Sequence, residues 1–396
     1  MKIAEVEFVH VAGKLREVQG RDRQHQVQPL HVYAEHRPAP YFDSPEAAEV
    51  ERPISAYYLR VRADEGVSGL YGPIDPEVVP VVSNQLRPLL LGQDPLAGEM
   101  LWDKMYRANR HSRAGHYMMG LSAVDNALWD LRGRALGVPV YRLLGGPTRE
   151  RAEVYASCLG FSVQPDVLRE RCLALREQGF RYQKWFLAYG PGDGPGGLRA
   201  NIELVRVLRD ALGDGTEIMF DAFNGWDLHY ALQWAKAVET YRPYWIEEPF
   251  SSDQLDAFMG LSRGTSLPVA TGEHFYGRWE AARFLDAGAI QIVQADPEWC
   301  GGVSELIKIC ALASARGVRV IPHGHNIHAA LHVVLSQPPM LCPLVEYLLN
   351  YKPIKTYFEL DPPRPQGAAI PLPARPGFGI ELDEAKIEEL RILSLH

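Results

Sequence analysis

The stretch TEIMFDAFNGWDLHYALQWAKAVETYRPYWIEEPF (216–250) decides the fold. It opens on a β-rich run, passes through a longer run of helical period and returns to a second β-rich run, the pattern of a βα unit in a parallel sheet. Each β-rich run carries carboxylates near its end, Asp221 in the first and Glu247 and Glu248 in the second. The pattern extends both ways from here. From about Arg149 onward eight candidate strands alternate with helical-period segments: ERAEVYAS (150–157), RYQKWF (181–186), TEIMFDAF (216–223), YWIEEPF (244–250), LPVATGE (267–273), AIQIVQAD (289–296), RVIPHG (319–324) and LVEYLL (344–349). Segments such as NIELVRVLRDALG (201–213) and GVSELIKICALASARG (302–317) are amphipathic and end in Gly, where a helix C-cap falls.

Eight such units predict an α/β fold, a (β/α)8 barrel, over residues 126–360. An open doubly wound sheet is the alternative, but no GxGxxG follows the first strand to support it. Residues 1–125 read differently. KIAEVEFVHV (2–11) and SAYYLRVRADEG (55–66) have the composition of strands and EVVPVVSNQLRPLLLG (77–92) that of a helix, so a small N-terminal α+β domain is expected to precede the barrel. The tail, 361–396, begins with the Pro-rich DPPRPQGAAIPLPARPGFG and is too short to fold alone, so it is expected to pack back on that domain.

Composition narrows the function. With 46% apolar and 23% charged residues among 396, the chain is ordinary globular protein, neither disordered nor low-complexity. A net charge of −8 argues against a general nucleic-acid or anionic-membrane binder. The N-terminus lacks the basic start and apolar run of a signal peptide and no long apolar stretch follows, so a cytoplasmic protein is expected. Cys158, Cys172, Cys300, Cys310 and Cys342 are odd in number and never spaced as CxxC, which indicates buried thiols rather than a disulfide framework or a zinc site.

In a parallel barrel the reactive groups sit at the C-terminal ends of the strands, where the βα loops form the mouth. Asp221, Glu247 and Glu273 fall at the ends of the third, fourth and fifth candidate strands, at successive intervals of 26 residues. Three carboxylates on adjacent strands repel one another unless a cation offsets them, and oxygen-only ligands suit Mg2+. Period-two alternation puts Trp245 and Glu247 on one face and Ile246 and Glu248 on the other, which makes Glu247 the expected ligand and Glu248 the runner-up. Asp296 and His323 end the next two strands; a carboxylate beside an imidazole fixes its tautomer and raises its basicity. His274, directly after Glu273, and Lys184, in the second strand, also face the mouth.

These residues resemble the enolase superfamily, and within it the mandelate racemase-like branch. LSAVDNALWDLRGRALGVPVYRLLGG (121–146) is similar to that family's stretch linking cap to barrel, and MFDAF, WIEEPF, TGEH, QADPEWCGG and IPHG match its metal and acid/base stations in order and spacing. The resemblance implies an N-terminal α+β capping domain on a modified TIM (β/α)8 barrel, one Mg2+ held by Asp221, Glu247 and Glu273, a base dyad of Asp296 and His323, and Glu346 as the acidic group of the eighth strand. Many members carry a Lys-x-Lys pair in the second strand; here the sequence is Lys184-Trp185-Phe186, which disfavours a two-base racemase. The combination looks most like the L-rhamnonate dehydratase group of acid-sugar dehydratases. It implies abstraction of the proton α to a carboxylate and loss of water to a 2-keto-3-deoxy acid. A one-base epimerase or cycloisomerase is the alternative within the superfamily, and a non-catalytic sugar-acid-binding barrel the alternative outside it. The expected partners are a small sugar acid and further copies of the chain in a homo-oligomer, with no nucleic acid or membrane. None of the barrel residues reads the distal hydroxyls of such a substrate. QPLHVYAEHRPAPY (28–41), with His31, His36 and Arg37, is the expected specificity loop.

Overall fold

The structure, a computed structural model, describes residues 1–19, 24–38 and 48–393. The long strands β1 (Ile3–Gln19) and β2 (Ala48–Ala63) pair antiparallel, and β3 (Ser68–Ile74) continues the sheet. The expected helix over 77–92 forms as α1 (Val78–Val81) and α2 (Arg87–Leu90) around a π-turn, Val82–Leu86. Pro88 is the physical reason for the wider turn, because it has no N–H to donate and its ring crowds the carbonyl four residues back. Next come α3 (Gly98–Ala108) and α4 (His116–Ala135), the latter one unbroken helix across 125–126, where the sequence division falls.

A short α5 (Val140–Leu143) leads into the barrel. Its strands and helices alternate as β4 (Arg151–Ser157), α6 (Pro165–Glu177), β5 (Tyr182–Phe186), α7 (Gly194–Leu212), β6 (Glu217–Asp221), α8 (Leu228–Val238), β7 (Trp245–Glu247) and α9 (Leu255–Gly264). They continue as β8 (Val269–Thr271), α10 (Arg278–Asp286), β9 (Ile292–Val293), α11 (Val303–Ser314), β10 (Arg319–Val320), α12 (Ile327–Ser336) and β11 (Leu344–Leu348). The eight strands are parallel, in the order β10-β9-β8-β7-β6-β5-β4-β11. The curled sheet closes where Val320 N donates to Leu341 O at 2.8 Å. After β11 the helix α13 (Lys352–Lys355) is only four residues long, so the last unit is essentially a strand. Inward-facing Tyr155, Met219, Trp245, Ala270, Ile292, Ile321 and Leu344 make a buried apolar plug of their own, separate from the layer between sheet and helices. The polar mouth residues lie at the C-terminal ends of the same strands.

The later strands are shorter than their sequence runs, and β9 and β10 have two residues each. The backbone ladder nevertheless continues past them through Gln294 N to Thr271 O (2.9 Å) and His323 N to Gln294 O (3.0 Å), which keeps Glu273, Asp296 and His323 at the mouth. The tail touches both sheets rather than the cap alone. β12 (Ala369–Pro371) pairs with β4 in the barrel, and β13 (Glu389–Leu393) pairs with β1 in the cap. The first is an edge position, where proline's missing donor is tolerated. Residues 394–396 lie outside the described residues. Among the described residues no helix is long and apolar enough to cross a membrane.

One helix ties cap to barrel. Leu121, Val124, Ala127, Leu128 and Leu131 of α4 are buried, while its polar residues grip the loop before α11. Gly301 N donates to Ser122 Oγ (2.9 Å), Val303 N to Asn126 Oδ1 (3.0 Å) and Ser304 N to Asp125 Oδ2 (2.9 Å), and Asn126 Nδ2 donates to Pro297 O (2.9 Å). The α11 N-terminus is thus capped by another helix's side chains. Gly302 has φ 85°, and a Cβ there would stand 2.3 Å from Asp125 Oδ2, so only glycine permits the approach. Asp125→Ala strands two buried donors, Ser304 N and Ser304 Oγ (2.7 Å to Asp125 Oδ1), and is expected to lower the unfolding free energy by about 1–3 kcal/mol. A urea denaturation midpoint equal to that of the parent chain would show that the cap–barrel grip contributes nothing.

Candidate active site

At the mouth the charge is strongly unbalanced. Asp221, Glu247, Glu248, Glu273, Asp296 and Glu346 are all buried, and the one lysine among them, Lys184, is 1% exposed. Lys184 Nζ pairs with Glu346 Oε1 (2.8 Å), Asp221 Oδ2 (3.3 Å) and, most closely, Glu247 Oε1. Burial disfavours its charged form, but Glu247, Glu346, Tyr155 and Asp221 together hold its pKa well above the usual lysine value. Lys184 is therefore a fixed cation.

The acids show the cost of their crowding. Burial pushes Glu247 up to about 8 against the pull of Lys184, with Asp221 and Glu346 adding to the push. Burial and then Glu248 push Glu273 up to about 8, and burial takes Asp221 up to about 6. Protons thus relieve part of the repulsion that the bases leave.

Two imidazoles flank Glu273, His274 Nδ1 3.8 Å from Oε1 and His323 Nε2 3.9 Å from Oε2. His323 Nδ1 meets Asp296 Oδ2 at 2.7 Å, so Nε2 is left facing Glu273 Oε2 and Glu346 Oε2, each 3.9 Å away. Burial opposes its protonation, yet Glu273, Glu346 and Asp296 raise His323 to about 10. The Asp296 carboxylate is itself held by the backbone N–H groups of Glu298 (2.6 Å) and His325 (3.1 Å). His274 Nδ1 meets Glu248 Oε1 at 3.1 Å, and this contact carries His274 to about 9 although burial opposes it.

The arrangement differs from the sequence reading at β7. Strand alternation was expected to turn Glu248 away from Glu247, but Glu248 has φ 40°, outside the strand region, and both side chains are buried at the mouth. Asn224 Nδ2 holds Glu248 Oε2 at 2.7 Å. Among the described residues, the cluster whose possible metal-donor atoms all lie within 4.8 Å is Glu248, Glu273 and His274. Asp221 and Glu247 are turned onto Lys184 instead. Buried, repelling, oxygen-rich donors of this kind fit a hard divalent cation, which could be held by Asp221, Glu247 and Glu273 with Glu248 beside them.

Glu346 Oε2 accepts from Gly324 N at 2.9 Å, which places it beside His323. The N-terminal loop approaches the mouth at Val27, whose N–H donates to Leu187 O just beyond β5 (2.8 Å). Arg37 Nε and Nη1 donate to His31 O and Gly192 O (2.7 Å each), and a Cβ on Gly192 would stand 2.1 Å from Nη2. Arg37 thus pins the loop to the βα loop after β5. His31 Nδ1 accepts from Gln28 N (3.3 Å), and the His36 ring meets Tyr33 edge-on. Among the described residues none of these three side chains bonds a mouth residue, and Ala39 to Tyr41 of the expected specificity loop lie outside them. The sequence reading missed Trp299, whose ring stacks on both His274 and His323, and the Glu298–His325 pair beside the dyad. The only signal for them was their position within DPEW and PHGH.

A profile described as Enolase C-terminal domain-like matches residues 167–386, and one described as Mandelate racemase / muconate lactonizing enzyme, N-terminal domain matches residues 51–145. The chain belongs to the mandelate racemase and muconate lactonizing enzyme family of the enolase superfamily. Within this family it is 36% identical over 312 residues to an L-rhamnonate dehydratase of Saccharopolyspora erythraea, covering 76% of each chain. It is 33% identical over 353 residues to a D-galactonate dehydratase of Ralstonia pickettii, covering 84% of this chain and 90% of that one. Rhamnonate dehydratase from Gibberella zeae complexed with Mg superposes with a TM-score of 0.82 at 27% identity, over 97% of this chain and 95% of the other.

The raised carboxylate pKa values would set how a divalent cation binds. A protonated carboxylate must lose its proton to become a ligand, so affinity is present above the raised pKa and lost below it. Mg2+ affinity is expected to rise between about pH 6 and about pH 9, with net proton release on binding near neutrality. Calorimetric titration in buffers of different ionisation enthalpy measures both, and a pH-independent affinity would remove these acids from the cation site.

Proposed function

We propose that the chain is a Mg2+-dependent sugar-acid dehydratase, a carbon–oxygen lyase acting on an aldonic acid of the L-rhamnonate type. The observation that carries the reading is the pair of differently equipped imidazoles at one buried acidic mouth, His323 backed by Asp296 and His274 held by Glu248. Asp221, Glu247 and Glu273 would hold the cation, which supplies positive charge where a substrate carboxylate gains electron density. The dehydratases among the relatives and the Mg complex of the similar fold support this reading.

The chain's own groups divide the work. Asp296 keeps the Nδ1 proton on His323; a cation held at Glu273 would offset the carboxylate charge that raises this imidazole, leaving Nε2 as the atom that takes the C2 proton. A positioned base contributes only about 10²–10⁴-fold, so the larger share of rate must come from charge stabilisation. The Lys184 ammonium, fixed by its partners, supplies part of it. His274 is raised to about 9 and is therefore cationic near neutrality, which suits it to give a proton to the departing C3 hydroxyl. The enol so formed tautomerises to the 2-keto-3-deoxy acid. Glu346 orients beside His323, and the 28–38 loop, pinned through Arg37, would confine the distal end of the substrate, with His31 and His36 as its donors.

Turnover of a stereochemically complete set of aldonic acids with Mg2+, read as 2-keto acid formation, tests the reading; no product from any acid would overturn it. Asp221→Asn, Glu247→Gln and Glu273→Gln are each expected to abolish Mg2+-dependent turnover. His323→Asn is expected to stop exchange of the substrate C2 hydrogen with solvent deuterium, and exchange at the parent rate would assign the base elsewhere. Arg37→Ala is expected to change the ratio of kcat/KM among acids while leaving Mg2+ affinity unchanged; equal loss on every acid would place the loop outside specificity.

A further inference from the structure

A hydrogen bond at Nδ1 fixes one atom of His323 but leaves the ring free to pivot about that contact. Trp299 removes this freedom. Its indole stacks on His323 (centroids 5.0 Å apart, planes at 29°) and on His274 (5.3 Å, 25°), and packs on His325 (5.0 Å, 41°). His325 is itself gripped by the Glu298 carboxylate, by Tyr351 Oη at 3.0 Å and by Lys355 Nζ at 3.1 Å, and its backbone N–H reaches the Asp296 oxygen that pairs with His323. On the cap side, Trp299 and Glu298 meet Tyr71, Met119 and Ala123 across a cavity of about 10 Å³. Indole Nε1 is buried and has no hydrogen-bond partner among the described residues, so stacking rather than hydrogen bonding governs how the ring sits.

We propose that Trp299 is a positioning residue that sets the planes of both His323 and His274, and that the cap, by bounding the indole, sets the alignment of the acid and base of the barrel. Misplacing a reacting group by about 1 Å costs about 10²-fold, so loss of the ring is read mainly in kcat. The kinetic part rests on the dehydratase reading; the structural part does not.

The experiment compares Trp299→Leu and Trp299→Phe in the full chain with Mg2+. The Leu variant is expected to lose about 10–100-fold in kcat with KM and the Mg2+ activation constant little changed, and the Phe variant to recover most of it. Independently of any reaction, carbethoxylation by diethyl pyrocarbonate, mapped by peptide mass, is expected to be several-fold faster at His323 in the Leu variant. The exposed His111 and His229 serve as unchanged references. If the parent chain dehydrates no acid, the reading of function fails and the labelling alone decides this inference. Unchanged His323 labelling, kcat within about twofold of the parent, loss not restored by Phe, or an equal weakening of Mg2+ activation each overturns it.

Discussion

The crowding of six buried carboxylates, Asp221, Glu247, Glu248, Glu273, Asp296 and Glu346, around Lys184, His323 and His274 is the constraint around which the molecule is arranged. Two unit charges about 4 Å apart repel by about 4 kcal/mol at an effective dielectric of about 20, so such a cluster cannot persist fully ionised on its own. Three devices share the load here. Lys184 sits among three of the acids, His323 and His274 are raised into their cationic forms by others, and Glu247 and Glu273 take up protons. The same excess is what gives a divalent cation a driving force to enter.

A site under that much electrostatic stress needs a rigid frame, and α4 supplies much of it. Its Ser122, Asp125 and Asn126 hold the loop running from Pro297 to Ser304, which carries Trp299. One turn further along, Asp130 accepts from Leu70 N (2.8 Å) on the cap sheet and from Phe378 N (2.6 Å) on the tail. A single helix therefore fixes cap, tail and the loop that carries Trp299 through side chains that are themselves buried. Buried unpaired polar groups are costly, so each of these bonds is enforced by the ones around it.

Much of this was legible in the sequence, for a physical reason. Strand-end carboxylates recur once per βα unit, and Asp221 and Glu247 do lie at adjacent strand ends in register. Periodicity failed where the backbone leaves the strand. Alternation sorted Glu247 from Glu248, but a left-handed φ at Glu248 returns both to the mouth. Contacts made by stacking carry no spacing signature, which is why the sequence assigned Trp299 no role of its own. The tail's second partner was equally invisible, since a three-residue edge strand such as β12 has too few residues to show a period.

The replacement of a second lysine by Phe186 gains weight from what surrounds the remaining one. A lysine acts as a base only when its environment favours the neutral amine, by burial or by neighbouring cations. Lys184 is buried, but its three carboxylate partners hold it cationic. On its other side, Phe186 and Phe223 meet edge-on (6.4 Å between centroids, 61°), offering no proton acceptor. The two imidazoles of the mouth are His323 and His274, and their carboxylate partners, Asp296 and Glu248, come from different strand ends. On the dehydratase reading two imidazoles with separate carboxylate partners suffice, whereas inverting a stereocentre between two opposed bases would need an amine where this sequence has Phe186.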